Sequence, residues 1–458
     1  MVALGAILIL GGGARLVSSA LVPLIFDEYQ WIAIADRVSL SPVYLPLHGD
    51  AHPAGGAYVA AIGSWLLGSN AIGYRFGSVA CGTVLIWIAW RLALRQFGPT
   101  AGLVAAALAA SNEYLLGISR LATQESAYLA AATAAVLFFV SAMERGDTST
   151  YAVVGILLGL GLFLKEMTIL WVPVFAWELA SRNGPRALLA RGPAIALIIM
   201  LLGAVPDVVW NIWLRLPVDG VSDRGLLQQV GRLGMGWSFG PTALFLRPVF
   251  SLLENAVSEY PAISTLPGLL LLGGALGSFM HWRVPDVRLW LRLGWVPFLF
   301  FTLVGNPSNA SPEFWWSDLS VVPFVMLTAS LTKRLAPYAL AVGLLLAIPG
   351  SLDVVAAREN CYPSAATSSG PVIERCFDSQ RMFVAHFRDR DHGALSLFGS
   401  MRLPVADHYE RWGRAYVAQL EGKAPTESHQ IPWPRRSGES IPEERQRMER
   451  MLDALQGR

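Results

Sequence analysis

Charge is scarce in this sequence. Only 15% of its 458 residues are Asp, Glu, Lys or Arg, and 35 basic against 33 acidic side chains leave a formal net charge of +2. So small an imbalance implies no polyanionic partner, and nothing else in the chain supports nucleic-acid binding. Cysteine is almost missing, with three residues, and neither these nor the histidines follow a zinc, redox or other metal-ligand spacing. The first 26 residues lack a basic leader and a clear small-residue cleavage site, so the expectation there is a retained helix rather than a removed signal. Duplicated halves with paired broken helices are lacking as well, which counts against a transporter.

What the chain has in abundance is apolar surface. Hydrophobic residues make up 54% of it and the mean hydropathy is +0.46, outside the composition of soluble domains. Apolar segments of roughly 18–25 residues, the length that crosses about 30 Å of hydrocarbon, recur up to Gly350 and then stop. The expected spans are Val2–Ile25, Ile72–Leu94, Ala101–Ile118, Ser126–Met143, a pair of shorter segments within Tyr151–Leu179, Pro193–Leu214, Ile263–Met280, Leu289–Val304, Leu319–Leu331 and Pro337–Pro349. These predict an all-α polytopic membrane protein with about eleven crossings. Residues 1–350 form the transmembrane module, with a first outer loop at 26–71 and a second at 211–262, and residues 351–458 form a small extramembrane C-terminal region.

Arginine and lysine cluster in alternate connections: Arg91 and Arg95, Arg145, then Arg182, Arg186 and Arg191, then Arg283, Arg288 and Arg292, then Lys333 and Arg334. The positive-inside rule assigns these connections to the cytoplasm. The expected location is the cell's inner, or plasma, membrane, with the N-terminus cytoplasmic and the C-terminal region periplasmic or extracellular. A disulfide between Cys361 and Cys376 is expected in that oxidising setting, with Cys81 left as a small residue inside a span.

Within Tyr151–Leu179, YAVVGILLGLGLFLKEM offers only about 13 apolar residues before Lys165 and Glu166, too few for a full crossing. Two half-length helices meeting at a polar tip fit this pattern. A lysine at that depth is costly and marks either a functional site or a local ion pair with Glu166. In the first outer loop, Trp31, Ile34 and Val38 fall at helical spacing, and Ala54–Leu67 repeats the pattern, predicting two interfacial helices. Asp27 and Glu28 open the first of them, where carboxylates are favoured by the helix dipole alone.

The same outer side also collects Asp50 and His52 of HGDAHPAGG, Arg120 and Glu125 of GISRLATQES, and Lys165. Carboxylates to remove a proton, with Arg and Lys to stabilise a departing phosphate, are what sugar transfer from a lipid phosphate requires. DEYQWIAIADRV resembles the DE-x-x-Y-A-x-I-A motif of GT-C glycosyltransferases, in the group that holds protein O-mannosyltransferases and lipid A aminoarabinose transferases. HGDAHPAGG is similar to that group's D-x-H-P-P-L segment, with HPA for H-P-P. The stretch YRFGSVACG through SRLATQES resembles its R-x-x-S to D/E-x block, and GLGLFLKE its G-L-x-x-L-T-K segment.

This resemblance implies an inverting glycosyltransferase of the GT-C fold using a polyprenyl-phosphate sugar as donor. Its implied catalytic residues are Asp27, as general base, and Glu28, its acidic partner. The implied substrate-binding residues are Asp50, His52, Arg120, Glu125 and Lys165. No cofactor is required; a divalent cation stays open but is not indicated by the sequence. The acceptor is a protein, lipid or glycan that the sequence does not identify, membrane lipids are partners, and a larger membrane complex remains open. One departure stands out: PEFWWSDLSVVPFVM occupies the place of the group's R-Y-x-x-P-x-x-P segment and lacks its Arg and Tyr. Trp315, Trp316 and Asp318 stand there as an aromatic belt or a sugar platform. That departure and the tail sustain an alternative, a non-catalytic GT-C-like subunit or binding protein.

Overall fold

In a computed structural model of the chain, the described residues are 2–21, 28, 31, 32, 35, 38, 53, 55–68, 70–208, 271, 273–304 and 313–331. Among them every regular element is helical. The α-helices used below are α1 (Val2–Leu21), α2 (Gly55–Leu67), α3 (Ala71–Phe97), α4 (Pro99–Ser111), α5 (Glu113–Ser119), α6 (Glu125–Arg145), α7 (Thr148–Leu164), α8 (Trp171–Asn183), α9 (Arg191–Val208), α10 (Pro285–Val304) and α11 (Glu313–Leu331). Three are long and apolar enough to cross a membrane, at Val2–Ala20, Ile72–Phe97 and Glu125–Arg145. The expected span at Pro337–Pro349, half of Ile263–Met280, the 211–262 loop, and the tail with Cys361 and Cys376 lie outside the described residues.

The core runs through α3, α4, α6, α7, α8, α10 and α11 as one cluster rich in alanine, leucine and valine. Small side chains let helices approach where lipid and core are equally apolar and packing replaces the hydrophobic effect. The α7–α9 contact takes this furthest. A Cβ on Gly203 would lie 2.2 Å from the Gly159 carbonyl oxygen, and one on Gly155 would lie 2.5 Å from that of Ala196. Only glycine fits at these two crossings.

The expected single span Ala101–Ile118 is corrected. It is two helices, α4 and α5, broken at Asn112, whose backbone leaves the helical region (φ −64°, ψ 123°). The physical cause is capping: the Asn112 side chain accepts the Leu115 N–H at 3.0 Å and starts a new helix. A break inside an apolar bundle frees carbonyls that water cannot reach. Arg15 of α1 satisfies them, its guanidinium donating to the Ala109 and Ala110 carbonyls, each at 3.0 Å, and to Gly11 at 3.0 Å.

The short-helix pair is present. Helix α7 has 17 residues and ends at Lys165, a 3-10 turn spans Glu166–Leu170, and α8 has 13 residues. At the start of α8 Trp171 Nε1 donates to the Leu293 carbonyl at 3.1 Å, and toward its far end buried Glu178 accepts from Arg182 and Arg292. These contacts fasten α8 to α10. Arg95, near the end of α3, pairs with Glu144 and Ser141 of α6. Arg75 and Arg95 are separated by 20 residues of α3, about 30 Å of helical rise. The Arg75 and Arg95 contacts thus lie about one hydrocarbon thickness apart along α3.

Candidate active site

The site at the Arg75 end is built on the first turns of α3. Arg75 is fully buried, as is Glu28, and they form a fork: Nε to Oε1 at 2.6 Å and Nη2 to Oε2 at 2.7 Å. The third guanidinium nitrogen donates to the Ser19 carbonyl at 2.6 Å, near the end of α1. Glu28 Oε1 also accepts the Ala122 N–H at 2.7 Å. Planar bidentate geometry holds orientation as well as charge. One carboxylate therefore joins the 26–38 segment, α3 and the turn between α5 and α6.

One helical turn along α3, Ser78 completes the clamp. Its hydroxyl donates to the Thr123 carbonyl at 2.8 Å, and its own carbonyl accepts from Ser126 Oγ at 3.0 Å. The i, i+3 spacing of Arg75 and Ser78 puts both on the face of α3 that meets this turn. That is a physical reason for the R-F-G-S spelling. Arg75 was absent from the site residues expected from the sequence, and a charged residue three before a serine inside an apolar helix was the available signal.

The turn 120–124 is held almost without solvent. Arg120 closes α5, is 2% exposed, and places Nη1 3.4 Å from Ser18 Oγ of α1. Glu125 opens α6 and accepts from Lys165 Nζ at 2.9 Å. Lys165 thus pairs with a carboxylate 40 residues away in sequence. Lys165 takes an extended backbone (φ −157°, ψ 129°) that ends α7, and its ammonium stands 5.2 Å from the Tyr128 ring centre. That geometry projects the side chain from the helix junction onto the first turn of α6.

Helix α2 enters at the same junction. A Cβ on Gly55 would meet the Phe163 carbonyl oxygen at 2.5 Å, and one on Gly56 would meet Gln124 Cβ at 3.0 Å. The α2 start is therefore wedged between the end of α7 and the 120–124 turn, with Pro53 buried just ahead of it. The apolar face expected in the first outer loop packs here too: Trp31, Ile32, Ala35 and Val38 are buried with Ala57, Ala60 and Ala61 of α2, Tyr74 and Ala122. Of the expected site residues, Glu28, Arg120, Glu125 and Lys165 are brought to one region by these contacts. Asp27, Asp50 and His52 lie outside the described residues, as does Ile34. The 313–318 backbone is helical, in the first turns of α11.

Residues 51–210 match the dolichyl-phosphate-mannose-protein mannosyltransferase family. Among solved structures, the chain is similar to ArnT from Cupriavidus metallidurans bound to undecaprenyl phosphate, at 13% identity and a TM-score of 0.50, covering 98% of this chain and 75% of that one. It is also similar to the Archaeoglobus fulgidus oligosaccharyltransferase, at 14% identity and a TM-score of 0.52, covering 95% of this chain and 59% of that one. The family match contains Arg75, Ser78, Arg120, Glu125 and Lys165, the residues that assemble the buried junction. The apolar helices make the chain a multi-pass membrane protein, its fold is similar to that of these two solved structures, and residues 51–210 are the part that matches the mannosyltransferase family.

Proposed function

We propose that this protein is an inverting glycosyltransferase that moves a sugar from a polyprenyl-phosphate donor to a hydroxyl or amine of a protein, lipid or glycan on the outer face of the membrane. The observation that carries the reading is the buried Glu28–Arg75–Ala122 clamp. It ties the residue next to Asp27 to the turn that presents Arg120 and Glu125. Asp27 then acts as general base and Glu28 as the residue that positions it.

In the transfer step, the acceptor oxygen or nitrogen attacks the anomeric carbon and gives its proton to the Asp27 carboxylate. The bond from that carbon to the phosphate oxygen breaks, and the electron pair leaves with the polyprenyl phosphate. Arg120 and Lys165 stabilise the charge that grows on the phosphate, with Asp50 and His52 as further contacts on the segment leading into α2. Well-placed cations and a phosphate leaving group make a metal unnecessary for this step. Support for the lipid carrier comes from the similar ArnT, which was solved with undecaprenyl phosphate. Support for the sugar transfer comes from the mannosyltransferase family match.

Purified protein incubated with a panel of polyprenyl-phosphate sugars is expected to release polyprenyl phosphate with at least one donor. Asp27→Asn is expected to abolish turnover while leaving donor binding in place. Equal turnover by that variant removes Asp27 as base. Absence of sugar release from every donor favours the second reading, a non-catalytic GT-C-like subunit, which the R-Y segment missing from the 312–326 stretch also favours.

A further inference from the structure

The Thr123–Tyr128 segment holds a concentration of buried polar atoms that have no hydrogen-bond partner among the described residues. Gln124 is 1% exposed and its Oε1 accepts no hydrogen bond; Tyr128 is fully buried and its hydroxyl makes none; the buried Thr123 hydroxyl makes none. Elsewhere among the described residues such atoms occur singly, as at Thr133 and Gln96. A buried polar atom without a partner is costly in an apolar bundle, and three within one turn and the helix it starts are retained only if something outside the chain completes them.

Their placement defines what that is. Gln124 and Tyr128 are four residues apart at the start of α6 and share one face, with Glu125 between them. The Tyr128 ring lies beside the Lys165 ammonium, which binds Glu125. Gln124 Oε1 lies 3.2 Å from where a Gly56 Cβ would stand, at the first turn of α2. An amide oxygen that accepts, a phenol that donates and a threonine hydroxyl that does both, set beside a cation, match a ring of vicinal hydroxyl groups carried on a phosphate. We infer that Gln124 and Tyr128 form the subsite that hydrogen-bonds the donor's sugar hydroxyls and so select the sugar. This rests on the transfer reading above.

The test uses the full-length protein in detergent with undecaprenyl-phosphate mannose, undecaprenyl-phosphate glucose and their monodeoxy analogues. Tyr128→Phe and Gln124→Met keep the side-chain shapes and remove the polar atoms. Each is expected to raise the donor KM roughly 3–10-fold, the loss of about one hydrogen bond, and to erase discrimination against one particular deoxy position. Thr133→Val, an orphan hydroxyl farther along α6, is expected to leave the profile unchanged. If wild type turns over a donor while both variants keep its selectivity, or lose activity equally on every analogue as an ordered-water site would, the inference falls and the transfer reading stands. If wild type turns over no donor, both fall together.

Discussion

Glu28 and Arg75 face each other across 47 residues of sequence as a fully buried, two-pronged ion pair, 2.6 and 2.7 Å at its two contacts. Buried pairs contribute little net stability because desolvation offsets most of the attraction, yet removing one member strands the other charge. Glu28→Gln is therefore expected to destabilise the protein by about 3–5 kcal/mol, read as a lowered thermal midpoint in detergent. The double variant Glu28→Gln with Arg75→Met is expected to be more stable than Glu28→Gln alone. A double variant no better than the single one would mean that Arg75 is not stranded when Glu28 loses its charge.

Lys165 and Glu125 hold the end of α7 to the start of α6 at 2.9 Å, with Lys165 buried and Glu125 part-exposed. Their effects are expected to be coupled. Lys165→Gln and Glu125→Gln, combined in a double-mutant cycle, should show an interaction of roughly 0.5–3 kcal/mol in unfolding free energy. The same cycle read as turnover should lose more on either single change than on stability alone, because Lys165 is proposed to stabilise the departing phosphate and Glu125 holds its ammonium. Strictly additive losses in both readouts would separate the two residues.

Asp147 caps α7 from the opposite end. Its carboxylate accepts from Ser149 Oγ at 2.6 Å and from the Thr150 N–H and Oγ1, each at 2.7 Å. These bonds, that of Ser149 first, hold its pKa down to about 2. A depressed carboxyl stabilises the folded state fully above its unfolded value near 3.8 and loses that contribution as pH falls through about 2. The thermal midpoint of wild type is therefore expected to exceed that of Asp147→Ala above pH 4, with the gap closing toward pH 2. A gap independent of pH would mean that the neutral carboxyl caps the helix as well as the carboxylate does.

Local rules carried much of the architecture. The short-helix pair was legible because Lys165 arrives after too few apolar residues to complete a crossing, and α3 and α6 because their apolar runs are long and uninterrupted. The break at Asn112 was harder to read. One polar residue in an alanine-rich run is tolerated in a helix, and what makes it a break is an arginine 97 residues earlier whose guanidinium takes up the released carbonyls.

The sequence by itself determined that this chain lives in a membrane, where its apolar helices fall, and which acidic and basic residues stand near helix ends. Composition and period decide those features, since each apolar segment must satisfy its own backbone in lipid. Only the tertiary structure decided the pairings. Lys165 meets Glu125, and Glu28 meets Arg75 and the Ala122 N–H, because a buried charge takes partners that packing brings within hydrogen-bond reach, whatever their distance along the chain.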